Sequence, residues 1–390
     1  GSVRPHASLS LFCMKFQWEK MDFVSLLLLI FSAVAVSRAQ VQQEPSAETS
    51  EGTGIVDVGR MARALWLESE GTARLRQEPT PHAGPGDVVV RAAYSGISRG
   101  TERLVFDGRV PPGSWQDMRG PHMQGGFGFP LKYGYAVVGD IVAGQPDRVG
   151  ETVFCLHPHQ DVFSIPATDA VPVPASVPHR RAVLAANMET ALNIVWDANI
   201  LPGDRVAVFG AGVVGCLVAY LAAPIPATKV VIIDRQACRA ETAEALGVAF
   251  AGSSTGQSDC DVVVNVTGSS EALCEAIEIA GIEARIVEAS WYGSRPAELH
   301  LGGAFHSRRL TIASSQVGAV SPSRAPRWAS RRRLETALAL LADERLGVPG
   351  HEPAEVIDQV TVVLDRDLPH AGCRALADVA QQAGPPRELG

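Results

Sequence analysis

The sequence predicts an α/β chain with two architectures in series: a compact β-rich half, then a parallel sheet flanked by helices. Three observations predict it. The stretch Arg205 to Tyr220, RVAVFGAGVVGCLVAY, joins a short apolar run to a glycine-rich turn and then to an apolar helix. A second apolar run, Lys229 to Ile233, ends at Asp234, about 20 residues past the glycines. From Met61 to about residue 184 the chain instead reads as short β-type runs punctuated by Gly and Pro. Strands gathered before a strand–helix alternation imply two segregated layers of structure.

Each glycine of the turn has its own task. Gly210 makes the tight turn, Gly212 lets the backbone approach a pyrophosphate, and Gly215 lets helix and strand pack closely. The helix opens at Val213, so its free N–H groups and positive dipole end face the phosphates. Asp234 stands where an acid binds ribose hydroxyls and repels a 2′-phosphate, so NAD(H) is the expected cofactor. Arg235, directly after it, leaves NADP(H) open.

A chain of 390 residues is long enough for two domains, and its net charge of −8 comes with no basic stripe, which argues against a nucleic-acid partner. The 7 cysteines form no CxxC pair, so neither a disulfide framework nor a structural zinc site is expected.

The first sixty residues differ from the rest. Lys20 precedes an apolar run from Phe23 to Val36, and Ser37-Arg38-Ala39 follows as a small-x-small site. That is the shape of a signal peptide, too short for a comfortable membrane span. Residues 40–58 are polar and linker-like, and Met61 reads as a fresh start. Residues 1–60 are therefore expected to be leader and linker outside a cytoplasmic enzyme. A secretion signal or an organelle-targeting leader is the alternative.

Within the β-rich half, residues 111–130 form a long Gly- and Pro-rich loop of the kind that carries function. Further on, Cys155-Leu-His157-Pro-His159-Gln-Asp161 contains an HxH pair and a carboxylate. Pro158 interrupts any strand and no further ligand is spaced to complete a metal set. These histidines read as loop residues lining a polar pocket, with one a candidate acid/base group at the substrate mouth.

Four segments now stand together: SGISRGTE at 95–102, KYGYAVVG at 132–139, LPGDRVAVFGAGVVG at 201–215 and VVIID at 230–234. They resemble the medium-chain dehydrogenase/reductase superfamily over essentially all of the chain from Met61 onward. SGISRGTER followed by DGRVPP further resembles the zinc-lacking branch that includes bacteriochlorophyllide hydroxyethyl dehydrogenases. The resemblance implies a β-rich GroES-like catalytic domain at 61–184, a Rossmann dinucleotide-binding domain at 185–318, and a return segment to the catalytic domain at 319–390.

It also implies a site without metal. The superfamily's first zinc ligand falls on Ser98 or Arg99, its His-Glu pair on Tyr135-Ala136, and its third ligand on Ala186. The four-cysteine structural lobe is missing. Hydroxyl donors must then replace the Lewis acid. Thr101 falls at the family's proton-relay hydroxyl, Tyr135 replaces the metal-binding His, and Ser98 adds a third hydroxyl. By residue type, Tyr135 equally fits a packed core and Ser98 and Thr101 fit turns. Glu102 is expected to orient Arg99, to bind substrate or to be solvated.

On the cofactor side the resemblance implies Thr190 facing the nicotinamide, Arg239 near the adenosine ribose, and Thr267-Gly268-Ser269 covering the cofactor. Tyr292 and Gln316 follow later strands and are either nicotinamide neighbours or turn residues. Arg324, Arg327, Arg331, Arg332 and Arg333 are expected to be a solvated loop and helix start before Leu334.

The function implied is zinc-independent, NAD(P)(H)-dependent interconversion of an alcohol and a ketone or aldehyde, acting on a small molecule, with a homodimer possible. An enoyl or quinone reductase of the same superfamily and a catalytically inactive dinucleotide-binding protein are the alternatives.

Overall fold

A computed structural model describes residues 61–346 and 361–362. The leader and linker reading of residues 1–60 and the remainder of the C-terminal tail lie outside the described residues.

The first half is antiparallel. Strands β1 (Ala62–Ser69) and β2 (Thr72–Glu78) pair with β5 (Leu131–Lys132) and β4 (Gln124–Gly125) in the order β2-β1-β5-β4. A second sheet is built on β3 (Asp87–Ile97), β6 (Val137–Ala143), β7 (Thr152–Cys155), β8 (Val162–Pro166) and β9 (Val171–Pro172). Val88, Val90, Val137, Ile141, Val153 and Phe163 fill its core. Helix α1 (Thr101–Phe106) follows β3 directly, and α2 (His179–Ala182) leads into α3 (Ala185–Ala198).

The second half is a parallel sheet in the order β12-β11-β10-β13-β14-β15. Its strands are β10 (Arg205–Phe209), β11 (Lys229–Ile233), β12 (Ala249–Ala251), β13 (Cys260–Asn265), β14 (Ala280–Glu288) and β15 (Thr311–Ser314). Helices α4 (Val213–Ala222), α5 (Ala240–Ala245) and α6 (Ser270–Ile279) connect them. Strand order turns back on either side of β10, so a crevice opens beyond the carboxyl ends of β10 and β13.

Helix α7 (Ser330–Leu340) lays Leu334, Ala337 and Leu338 into a core shared with α3, α4 and β10. Ala136, Val138 and Phe154 of the first half enter the same core. Strand β16 (Thr361–Val362) then pairs with β3 at Ile97 and Gly96. Among the described residues no helix is long and apolar enough to cross a membrane.

Candidate active site

The glycine turn follows from tight packing. Val206 to Phe209 are buried on β10, which pairs in register with β11 and β13. Gly210 has φ +104°, where a side chain is strained. A Cβ on Gly215 would lie 1.8 Å from the Gly210 carbonyl oxygen. A Cβ on Gly212 would meet nothing within 4 Å, so a ligand has open access there. Gly212 caps α4 without a side-chain hydrogen bond, and Val213 is its first helical residue. The first N–H groups of α4 therefore remain available to an anion.

Asp234 closes over the same turn. Its Oδ2 accepts the Ala211 N–H at 2.8 Å and its Oδ1 accepts the Gln236 N–H at 2.8 Å. Arg235 is exposed beside it, and Arg239 is half-buried with its Nε donating to Gln236 Oε1 at 3.3 Å. Arg99 of the first half faces Arg239. Arg99 is exposed at its surface; partial desolvation lowers its guanidinium below the usual range, and the Arg239 charge adds to this. Two cations from opposite halves thus converge near the glycine turn, a point the motifs did not reveal.

At the ends of β13 and β14 a polar network holds the loops. Asn265 Nδ2 donates to Glu288 Oε2 at 2.6 Å, and Thr267 Oγ1 donates to Asn265 Oδ1 at 2.7 Å. Gly268, at φ +67°, donates its N–H to Ser290 Oγ at 2.9 Å. The Tyr292 hydroxyl donates to Ser269 O at 3.2 Å and lies 3.1 Å from Glu288 Oε2. Burial holds the Glu288 carboxyl above the usual carboxylate range. Tyr292 thus tethers the covering turn, and Gln316 Oε1 accepts the Gly318 N–H at 2.6 Å, which is turn chemistry. Thr190 turns its hydroxyl onto its own helix, donating to Ala186 O at 2.8 Å.

The hydroxyl site forms where β3, α1 and the β5–β6 connection meet. Ser98 and Thr101 point their side chains at the Tyr135 hydroxyl. Burial pushes that phenol well above its usual range, the Glu102 charge adds to the rise, and the two hydroxyls oppose it. The turn holding them is closed by Glu102, whose Oε1 accepts the Ser98 N–H at 2.9 Å.

Behind Glu102 lies a buried chain that spacing did not show. His159 Nε2 meets Glu102 Oε2 at 2.6 Å, and His159 Nδ1 shares a short hydrogen bond with Ser95 Oγ. Backbone bonds from Leu65 N to His159 O and from His159 N to Tyr133 O fix the ring's entry. A Ser–His–carboxylate order suggests acyl transfer, but Ser95 is 0% exposed and no electrophile can reach it. The neighbouring His157 takes a different route, stacking on Phe163 at 3.8 Å with burial pulling its imidazole down to about 3. The two histidines therefore do not converge on one ligand.

Gly134 makes the Glu102–His159 contact possible. A Cβ there would sit 2.8 Å from His159 Nε2, and Gly134 has φ +132°. Gly134→Ala is expected to lower the melting temperature by several degrees, because overpacking and strain together cost on the order of 2 kcal/mol. Thermal unfolding followed by circular dichroism checks this, and an unchanged melting temperature would refute the contact.

The solvated reading of the arginine run fails at one residue. Arg333 is 2% exposed, because α7 rotates it into the core against Glu189 while Arg324, Arg327, Arg331 and Arg332 stay outside.

No family model matches the chain. Two 2-desacetyl-2-hydroxyethyl bacteriochlorophyllide A dehydrogenases are similar over short segments. The one from Cereibacter sphaeroides is 39% identical over 92 residues, 23% of this chain and 24% of that protein. The one from Rhodobacter capsulatus is 45% identical over 74 residues, 18% of this chain and 20% of that protein. The chain thus matches about a quarter or less of the length of these two relatives. Sorbitol dehydrogenase of Gallus gallus is 26% identical over 60% of this chain and 72% of its own length. Among solved structures, a Sinorhizobium meliloti protein described as a zinc-binding dehydrogenase and bound to NADP overlays with TM-score 0.58. Its sequence identity is 21%, with 73% of this chain and 90% of that one covered. A short chain alcohol dehydrogenase of Escherichia coli CFT073 complexed with NADH overlays with TM-score 0.56 at 19% identity, covering 72% and 89%. The α/β fold, a Rossmann unit joined to a β-rich GroES-like unit, is the one these dehydrogenases share.

At the positions that the resemblance gives to zinc, the side chains are not its usual ligands. Ser98, Arg99, Tyr135, Ala136 and Ala186 supply no thiolate, imidazole or carboxylate at the positions the resemblance assigns. Among the described residues no group of three or more His, Cys, Asp and Glu could hold a metal ion. The Glu102–His159 pair is spent on itself and on Ser95 and Ser98.

Proposed function

We propose that the chain is a nicotinamide-dinucleotide-dependent oxidoreductase that interconverts an alcohol and a ketone or aldehyde without zinc. The observation that carries this reading is the hydrogen-bonding of Ser98 and Thr101 to the Tyr135 hydroxyl, with Ser98 and Tyr135 at positions the resemblance gives to zinc ligands. The solved neighbours bound to NADP and NADH support the cofactor class.

The residues fit a dinucleotide. The turn at Gly210, Gly212 and Gly215 and the N–H groups from Val213 onward would hold the pyrophosphate, with Arg99 and Arg239 supplying positive charge. Asp234 would take the adenosine ribose hydroxyls, which favours NAD(H), and Arg235 keeps NADP(H) within reach. Thr190, Thr267, Gly268 and Tyr292 would shape the far end. When bound, the nicotinamide supplies or accepts a hydride at the substrate carbon.

The chain's own residues handle the proton. A phenol raised by burial stays protonated near neutral pH, so Tyr135 is a hydrogen-bond donor. Placed on a carbonyl oxygen, it stabilises the negative charge that grows there and then gives up its proton. Ser98 and Thr101 hydrogen-bond the phenolate left behind, which then regains its proton from solvent. In oxidation the same chain runs in reverse. Glu102 and His159 keep the 98–102 turn closed, and so act as positioning residues.

Purified protein tested by NADH fluorescence and by turnover of hydroxyl and ketone compounds checks the reading. Saturable NADH binding, hydride transfer and no bound metal are expected. Stoichiometric zinc on elemental analysis would overturn the metal-free site. Asp234→Ala is expected to weaken NADH about tenfold or more, since hydrogen bonds to charged groups contribute about 1.5–3 kcal/mol. Isothermal titration measures it.

A further inference from the structure

We infer that Arg333 is a positioning residue for the nicotinamide end of the cofactor, clamping the segment after β15 to helix α3. This rests on the dinucleotide reading above and adds a determinant outside the glycine motif.

The geometry is specific. A buried guanidinium must find partners for its charge and its N–H groups. Arg333 Nε donates to Glu189 Oε1 at 3.0 Å, and one terminal nitrogen donates to Asn193 Oδ1 at 2.6 Å and Ala319 O at 3.1 Å. The other terminal nitrogen donates to Val317 O. Glu189 and Asn193 belong to α3, whereas Val317 and Ala319 belong to the irregular segment after β15. Those two carbonyls accept from a side chain where regular strand pairing has ended.

Two further bonds tie the same segment to the same helix face. Asn193 Oδ1 also accepts the Ser321 N–H at 3.1 Å, and Ser315 Oγ donates to Asp197 Oδ2 at 2.6 Å. Glu189, Asn193 and Asp197 recur every four residues, so they line one face of α3. Residues 315–321 are thus sewn along α3, with Arg333 reaching across from α7.

The segment's place gives the clamp its meaning. The glycine turn follows β10 and Asp234 follows β11, which puts the phosphates and adenosine on that side of the sheet. The remaining half of a dinucleotide then extends over the carboxyl ends of β13, β14 and β15. Residues 315–321 begin at the end of β15, and Thr190 is the neighbour of Glu189 on α3. A buried ion pair adds little net stability compared with apolar residues of the same volume. What this one does is hold two backbone carbonyls at a set depth beside the cofactor's reactive end.

The test compares two probes, NADH and ADP-ribose, which lacks the nicotinamide. Arg333→Lys keeps the charge but cannot fork to both carbonyls. It is expected to weaken NADH about tenfold while ADP-ribose binds as in the parent. Asn193→Ala frees the segment without leaving a charge unpaired, and gives the same pattern at smaller size should the lysine variant fail to fold. Equal losses for NADH and ADP-ribose, or no loss of NADH affinity, would overturn the inference. Failure of the parent itself to bind either probe would instead overturn the dinucleotide reading on which it stands.

Discussion

Tyr135→Phe is expected to reduce turnover about a hundredfold or more and to leave NADH affinity unchanged. The substitution removes one oxygen and keeps the ring, which packs against core residues of both halves. General acid catalysis contributes about 10²–10⁴-fold. A comparison with Tyr133→Phe isolates the effect. The Tyr133 hydroxyl donates to Met118 O at 3.2 Å, away from Ser98 and Thr101, so its loss is expected to leave kcat nearly intact. Steady-state kinetics on a compound the parent turns over, with NADH binding measured separately, decides it. A Tyr135→Phe variant with the parent's kcat would remove the phenol from the proposed chemistry.

Gly215→Ala should damage the fold itself. The added methyl would stand 1.8 Å from the Gly210 carbonyl oxygen, and both partners are backbone, so neither can rotate away. Helix α4 must move off β10, and overpacking of this kind costs about 1–3 kcal/mol or more. At about 2–4 °C per kcal/mol for a domain of this size, the melting temperature should fall by several degrees. NADH binding should vanish with it, because the turn that presents N–H groups is displaced. Gly212→Ala provides the contrast. Its methyl meets no protein atom within 4 Å, so stability should hold while NADH affinity drops. Parent-like melting of Gly215→Ala would contradict the packing of α4.

The parts of this fold legible from sequence are those enforced locally. A run such as RVAVF, followed by a glycine turn and an apolar helix, reads as a buried strand, and three glycines at fixed offsets have a steric reason visible without coordinates. Asp234 at the end of the next strand follows from the same logic. The hydroxyl residues were named because a resemblance supplied their positions, and the structure brings Ser98, Thr101 and Tyr135 to one point.

What stayed hidden depends on distant pairing. Nothing in the spacing of Glu102 and His159 says that they meet, since β7 and the loop after it must first fold across α1. Gly134 carries no message until the imidazole it makes room for is in place. Arg333 sits in a run of charges, and only the rotation of α7 separates it from its exposed neighbours. Tyr292 and Gln316 were open between ligand contact and turn chemistry; Gln316 makes a local turn bond, whereas the Tyr292 hydroxyl reaches across to Ser269 and Glu288.

The pairing of β16 with Gly96 and Ile97 bears on how the protein is made. These residues precede Ser98 immediately, yet their partner lies near the far end of the described chain. During synthesis the β-rich half must wait, with that edge of β3 open, until the whole parallel sheet has left the ribosome. Contacts so remote in sequence slow folding, and an exposed strand edge invites wrong partners in the interval. The protein should therefore complete its β-rich half late, and gain yield from chaperones that shield it.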